Sequence, residues 1–104
     1  MILTTTDTIQ GKKILEYKGV VSAQAVIGIN VVRDLFARVR DFVGGRAKSY
    51  EKELEKYKEE LLEEIKVQAK QKGANGIIGL SFSYEMYQSM LMIAVWGTAV
   101  VLEE

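Results

Sequence analysis

Two charged helical segments separated by a glycine pair constrain the fold of this chain more than any other feature. The junction runs from Arg33 to Gly79 and reads RDLFARVRDFVGGRAKSYEKELEKYKEELLEEIKVQAKQKGANGIIG. The first segment ends at Gly44-Gly45, because glycine tolerates the left-handed conformation of a helix C-cap. The second segment predicts a long helix from about Ser49 to Lys72, which stops at Gly73 directly before an apolar strand.

The first helix is predicted to begin after Asn30, whose side-chain oxygen can accept a hydrogen bond from a first-turn N–H. Its apolar residues recur at helical spacing and form one stripe. They are Val32, Leu35, Phe36, Val39, Phe42 and Val43.

Strands are predicted on both sides of this helical pair. Ile2 to Thr6 is a short β-branched run, and a ribbon from Ile14 to Ile29 contains Gly19 and Gly28, which favour a bulge or bend. In the C-terminal third, apolar residues alternate with small polar residues from Ile78 to Met86, and a turn at residues 87–89 leads into the last strand.

The last strand, Met90 to Leu102, is apolar at both its even and its odd positions, so both of its faces need cover. The helix pair can cover one face, and a second subunit is expected on the other. The sequence therefore predicts an α+β fold in one domain, residues 1–104. We expect a small, largely antiparallel sheet packed against two helices, one of them long, in a homo-oligomer.

Composition excludes several classes of function. Fourteen Lys and Arg residues balance fourteen Asp and Glu residues, so no net field attracts nucleic acid or anionic lipid. The chain has neither Cys nor His, which removes disulfides, thiol chemistry and the commonest general base. The start of the chain lacks the pattern of a signal peptide, and its longest nearly uncharged run is interrupted by polar residues. We expect a cytoplasmic protein that contacts neither membrane nor nucleic acid.

Four stretches of the sequence resemble the YbjQ-like family, which is labelled as a heavy-metal-binding domain. They are LTTTDTIQGKKILEY, GVVSAQAVIGINVVRDLFARVRDFVGGRAKSYEKEL, QKGANGIIGLSFSYE and SMLMIAVWGTAVVL, and together they cover almost the whole chain. The resemblance implies a compact α+β subunit and a homo-oligomeric ring, commonly a pentamer. The number five comes from the family and not from the residues.

The metal-binding label conflicts with the side chains present. Soft metals prefer thiolate and imidazole ligands, and this chain has neither. Met86, Met90 and Met92 are thioethers that a Cu(I) ion would accept, but methionine more often fills gaps in a core. Asp34 and Asp41 share a helical face with Arg38, whose charge opposes a cation there. No metal ligand and no cofactor is therefore assigned.

Candidate catalytic residues are equally weak, and none is assigned. Thr4, Thr5 and Thr6 are neighbours, but strands commonly contain threonine. Glu85 lies among aromatic residues of the hairpin, where a desolvated carboxylate serves as an acid or base. It also lies next to the predicted turn, where a glutamate is ordinarily solvated.

A small anion is the ligand that the polar residues favour. Glycine-rich turns orient N–H groups toward anions, and arginine forks match phosphate or carboxylate. The candidate ligand-binding residues are Arg33, Arg38, Arg46, Gly44 and Gly45. Simpler roles for them are a helix cap and surface or intersubunit ion pairs.

Three functions remain open at this stage. The leading hypothesis is a non-enzymatic, ring-forming homo-oligomer that binds a small ligand or partner. The alternatives are a metal-binding oligomer, as the family label suggests, and an enzyme with a site between subunits.

Overall fold

The computed structural model describes residues 1–38, 42–43 and 46–104, and the side chains of residues 1–34 and 51–104. Along the chain, six strands and two helices follow one another. They are β1 (Ile2–Leu3), β2 (Ile14–Ile27), α1 (Ile29–Arg38), β3 (Phe42–Val43), β4 (Arg46–Ala47), α2 (Lys48–Gln71), β5 (Gly76–Tyr87) and β6 (Met90–Leu102). The α+β architecture with one long helix is confirmed.

One four-stranded sheet organises the subunit, with strand order β1-β5-β6-β2. β6 pairs antiparallel with both β2 and β5, and the short β1 pairs parallel with β5. The helices pack on one face of this sheet and bury its core there. Fully buried side chains in the core include Val21, Ile65, Ile77, Ile93 and Val95. No helix in the described part of the chain is long and apolar enough to cross a membrane.

The long helix was predicted to within one residue at each end, and its C-terminus explains why. Gly73 has a φ of +79° and donates its N–H to the carbonyl of Lys70 at 3.0 Å. Ala74 donates to the carbonyl of Ala69 at 2.9 Å, which completes a Schellman motif. Ala69 and Ala74 both lie in the core between the helices and the sheet, so the cap also directs the chain into β5.

The first helix differs from its prediction at both described boundaries. It begins at Ile29, because the N–H of Val32 bonds the carbonyl of Gly28 at 3.1 Å, and Asn30 therefore lies inside the helix. Phe42 and Val43 are not helical but pair antiparallel with Ala47 and Arg46. Side-chain periodicity alone cannot separate a helix from a short strand that continues the same apolar spacing.

The pattern of β5 is interrupted by a β-bulge that the sequence does not reveal. Ile78 pairs with Thr98 and Ser81 pairs with Trp96, so two residues of β5 lie opposite Gly97 alone. Gly79, at a φ of +61°, occupies the bulge. Ile78 and Leu80 were predicted on one face, but they belong to two different cores on opposite faces of the sheet.

The second, smaller core lies on the sheet face away from the helices. It contains buried Ile78, Val100 and Leu102, against which Ile9 and Ile14 pack. The N-terminal segment thus covers part of the face that was expected to need a second subunit. The remainder of that face lies nearer the β5–β6 turn.

Candidate functional site

The sheet face away from the helices, called here the open face, is uncovered over more than half of β6. Met92 and Trp96 point to it and are 40% and 41% exposed. Ile93 and Val95, which lie between them in the chain, point to the helices and are fully buried. β2 contributes Val20 and Val26 to the open face at 70% and 58% exposure. Across the strands, Met92 lies between Val26 and Glu85, and Trp96 lies between Ser22 and Ser81.

Exposed large apolar side chains lie towards both ends of the sheet. Leu15, Tyr17 and Val20 lie in the first half of β2, and a second group lies at the opposite end. We call this the distal end and define it as residues 24–27 of β2, 82–87 of β5 and 90–93 of β6. Its exposed large apolar residues are Val26, Tyr84, Met86, Tyr87 and Met92. Tyr84 and Met86 pair with Ile93 and Leu91 and therefore point to the helix face, while the other three point to the open face. Both faces of the distal end are thus apolar and accessible.

β2 is an edge strand of the sheet, and one side chain caps this edge. The side-chain amide of Gln68, on α2, donates to the carbonyl of Ser22 at 2.7 Å and accepts from its N–H at 3.2 Å. These two bonds mimic the pairing of a neighbouring strand. They also show that the backbone groups of Ser22 point away from β6. Beyond the cap, no strand among the described residues lies against residues 24–27.

The opposite edge, on β5, is covered only in its first part. β1 pairs with Gly76 and Ile77, and the N–H of Leu80 bonds the carbonyl of Thr4 at 3.0 Å. No strand in the described part of the chain follows on that side of β5 from Ser81 to Tyr87. Within the described residues, the sheet therefore has two uncapped edges, one on each side of its distal end.

The residues proposed from sequence for an anion do not form a described cluster. Arg33 lies on α1 and is exposed, Arg38 is the last residue of that helix, and Arg46 opens β4. The side chains of Arg38 and Arg46 and both glycines, Gly44 and Gly45, lie outside the described residues. The anion site stays a prediction, with Arg33 as its one described side chain.

The structure also tests whether the side chains fit a heavy metal. Met90 and Met92 share the open face, but Met86 pairs with Leu91 and points to the other face. The three thioethers therefore cannot meet at one ion within a subunit. Among the described residues no group of three or more Asp and Glu side chains converges, and the chain has no His or Cys. The residues present do not fit the ligands that a soft metal requires.

Thr4, Thr6 and Glu85, which were weak catalytic candidates, have ordinary structural roles or are exposed to solvent. Thr4 and Thr6 hydroxyl oxygens lie 2.8 Å apart, and the Thr6 hydroxyl donates to the carbonyl of Thr8 at 2.6 Å. The carbonyls of the same two threonines accept N–H groups of Leu80 and Gly79, so this segment anchors the N-terminus to β5. Glu85 is exposed on the open face, as expected of a solvated glutamate near a turn.

Sequence reasoning missed the features that make the distal end distinctive. It placed Tyr84 and Met86 on a buried face, and the alternation was correct, but the described parts of the helices do not bury these two side chains. It also assigned no role to Gln68. A polar residue on the sheet-facing side of a helix, one turn from buried Ile65 and next to Ala69, is the signal that marks it.

Comparisons with known proteins agree on one family. Residues 1–103 match the family described as "Putative heavy-metal-binding". A UPF0145 protein of Persephonella marina is 64% identical over 103 residues, covering 99% of this chain and all of the relative. A UPF0145 protein of Bacillus cereus is 54% identical over 101 residues, covering 96% and 98% of the two chains.

A solved structure shares the fold. It is a protein of unknown function from Pediococcus pentosaceus, assigned to the DUF74 family, with a TM-score of 0.65 and 19% identity. The match covers 99% of this chain and 98% of that one, so the whole architecture is shared and not only the sheet. The full-length matches in sequence show that the chain belongs to the YbjQ family, whose curated members are named UPF0145.

Proposed function

We propose that the protein is a non-enzymatic homo-oligomer, a ring with five copies, that binds a small ligand or a partner. The observation that carries this proposal is the apolar open face. Val26 and Met92 are paired there and remain 58% and 40% exposed in a single subunit, and Trp96, four residues further along β6 on the same face, is 41% exposed. Contiguous exposed apolar surface of this kind is typical of an interface, because a soluble monomer rarely leaves it in water.

The dimensions of the subunit support the same proposal. Its accessible surface is 6895 Å², whereas a monomer of 11.7 kDa ordinarily exposes about 5,900 Å². Its radius of gyration is 16.6 Å, against about 13 Å for a compact domain of this length. A subunit in a ring has two neighbours and buries about 1,600 Å² of its own surface in standard interfaces, so the excess of about 1,000 Å² is of the same order.

The ligand in this proposal is a small anion, and Arg33 is the described residue that supports it. Arg33 is exposed on α1 and carries a charge that burial does not oppose. The matching experiment is a thermal melt with and without inorganic phosphate. We expect phosphate to raise the melting temperature of the wild type and not that of Arg33→Ala, Arg38→Ala or Arg46→Ala. Lys70→Ala, an exposed charge on α2, is the control that should keep the response.

A metal-binding oligomer is the alternative that the family description favours. The chemistry of this chain argues against it, because neither thiolate nor imidazole is available. Calorimetry should detect no submicromolar affinity for Zn²⁺. Binding of Cu(I) alone would instead direct mutation to Met90 and Met92, which share one face.

An enzyme with a site between subunits is the other alternative, and screening separates it from the leading proposal. A panel of metals, nucleotides and metabolites is tested by thermal shift, and any stabilising organic ligand is then tested for turnover. Turnover would refute the non-enzymatic role. The proposal also includes a cytoplasmic location, for which the cysteine-free composition is the support.

Sedimentation equilibrium tests the assembly itself. We expect a mass of five subunits at micromolar concentration. A monomer under these conditions would contradict the proposal, because the exposed face would then have no cover.

A further inference from the structure

We infer that the uncapped edge of β2, residues 24–27, pairs in parallel with the uncapped edge of β5, residues 81–87, of a second copy of this chain. The inference rests on the proposed homo-oligomer and specifies its contact. It assigns a surface, a strand direction and a boundary to that contact.

The backbone groups needed for such pairing point outward on both edges. On β2 the N–H and C=O of Ser22 point away from β6, so by strand alternation those of Gln24 and Val26 do as well. On β5 the N–H of Leu80 points away from β6, so the same alternation applies to Phe82, Tyr84 and Met86. Each edge thus offers an unused row of donors and acceptors, which ordinarily invites another strand.

The two edges also have the strand direction and the position along the strand axis that rotational symmetry requires. β2 and β5 are both antiparallel to β6, so they run parallel to each other. Val26 and Glu85 both pair with Met92, which places them at the same level on opposite sides of β6. A rotation about an axis along the strands therefore brings β5 of the next copy beside β2. Because the two surfaces differ, the contact repeats from copy to copy, and a rotation of one fifth of a turn per copy would close it into the proposed ring.

A second copy is favoured as the occupant because this chain carries both halves of the contact. Pairing would bring the exposed Tyr84 and Met86 of one copy next to α1 and the end of β2 of the other.

Gln68 sets the inner limit of the contact. Its amide occupies the position beside Ser22 that an added strand would otherwise use. A strand entering from the distal end can therefore bond Val26 and Gln24 and then stops. This limits pairing to a short segment and prevents open-ended growth of the sheet along β2.

Cysteine cross-linking tests the contact, and the chain contains no cysteine to interfere. In parallel pairing Val26 lies opposite Glu85 of the next copy, and both side chains point to the open face. Within one subunit these positions are two strand spacings apart, about 9–10 Å, which no disulfide can span. Val26→Cys/Glu85→Cys, oxidised by copper phenanthroline, should therefore give a ladder of covalent oligomers on non-reducing gels.

Two further pairs and two controls complete the design. Val26→Cys/Ser83→Cys and Val26→Cys/Tyr87→Cys test a shift of the register by two residues in either direction. Glu59→Cys/Lys70→Cys, both exposed on α2, should give no ladder. Val26→Pro removes only the outward-pointing N–H of residue 26 and should dissociate the oligomer. Val20→Pro, beyond the Gln68 cap, should leave the oligomer intact, with circular dichroism reporting that both variants fold.

The outcomes separate this inference from the proposal on which it rests. A ladder extending beyond the dimer in one of the three pairs supports the parallel contact. An oligomer by sedimentation without a ladder in any pair would overturn the contact and leave the assembly standing. Covalent dimers from Val26→Cys alone would show that two β2 edges meet, which also refutes the inference. A monomer by sedimentation would remove both.

Discussion

The two ends of β6 have the same apolar character but different surroundings. At the C-terminal end, Val100 and Leu102 are almost completely buried on the face away from the helices, under Ile9 and Ile14. At the distal end, Met92 on the same face of the same strand is 40% exposed. The chain therefore covers the open face at one end of β6 with its own N-terminal segment and leaves the same face exposed at the other end. An apolar pattern therefore predicts that a face of a strand needs to be buried, but it does not predict which residues bury it.

Two aspartate substitutions on that one face should separate the ends most strongly. Val100→Asp places a charge at a fully buried position with no cationic partner in its core, so we expect it to cost more than about 4 kcal/mol of the free energy of unfolding. Met92→Asp should leave the subunit folded, because its side chain is 40% exposed, and should weaken the oligomer, because the proposed function places the apolar open face in the interface. Urea unfolding and sedimentation measure the two effects.

Similar losses of unfolding free energy in both variants would refute the division into two ends. Thr98→Asp, on the same face but half-buried between them, is the intermediate case and should give an intermediate cost.

Gly97 lies where the two ends meet, and its substitution should have the next largest effect. A Cβ added there would lie 2.8 Å from Cγ2 of Ile77 and 3.1 Å from the carbonyl oxygen of Ile78. Because the second of these is backbone in the β-bulge, relaxation is restricted, and Gly97→Ala should cost about 1–3 kcal/mol. Ile77→Ala removes the first clash, so the double variant should lose less than the sum of the two single losses. Strict additivity in thermal or urea melts would show that the Ile77 side chain is not the constraint and would leave the backbone contact with Ile78 as the cause.

The sequence predicted the elements whose boundaries depend on local chemistry. Gly73 ends α2 through its own positive φ, and positive φ at Gln88 and Ser89 forms the turn expected at residues 87–89. The alternation of β6 also gave both faces correctly. These features depend on neighbours in the chain and need no knowledge of tertiary contacts.

The sequence-based predictions were wrong where contacts between residues distant in the chain determine the structure. The bulge at Gly79 exists because Thr6 and Thr4 accept the N–H groups of Gly79 and Leu80, a contact across more than 70 residues. Likewise, nothing near Val100 in sequence indicates that Ile9 and Ile14 will cover it. The exposure of the distal end could not be recognised from the sequence, because the same alternation is found in a strand that α2 covers.

Asn75 tests how the covered end is held together. Its side chain donates to the carbonyl of Leu102 at 3.1 Å and accepts from the N–H of Leu102 at 2.6 Å. Both bonds are partly buried, so Asn75→Ala leaves two backbone groups without partners and should cost about 2 kcal/mol. Hydrogen exchange of the Leu102 amide should accelerate, while the oligomer mass stays unchanged. A change in mass without a loss of stability would mean that this end also takes part in assembly.

Gln68 makes the corresponding pair of bonds at the edge of β2, but in more exposed surroundings, so the effect on stability should be smaller. Gln68→Ala should cost about 1 kcal/mol, because water can replace part of what is lost at Ser22. Its second effect is specific to the edge: with the cap removed, the outward groups of residues 20–26 form a continuous row, and the variant should aggregate through added strands on heating. Light scattering measures this, and Gln71→Ala, exposed near the end of the same helix, is the control that should match the wild type. If Gln68→Ala and Gln71→Ala scatter equally, the amide contributes only stability, and the length of the pairing segment must be limited by the twist of β2 instead.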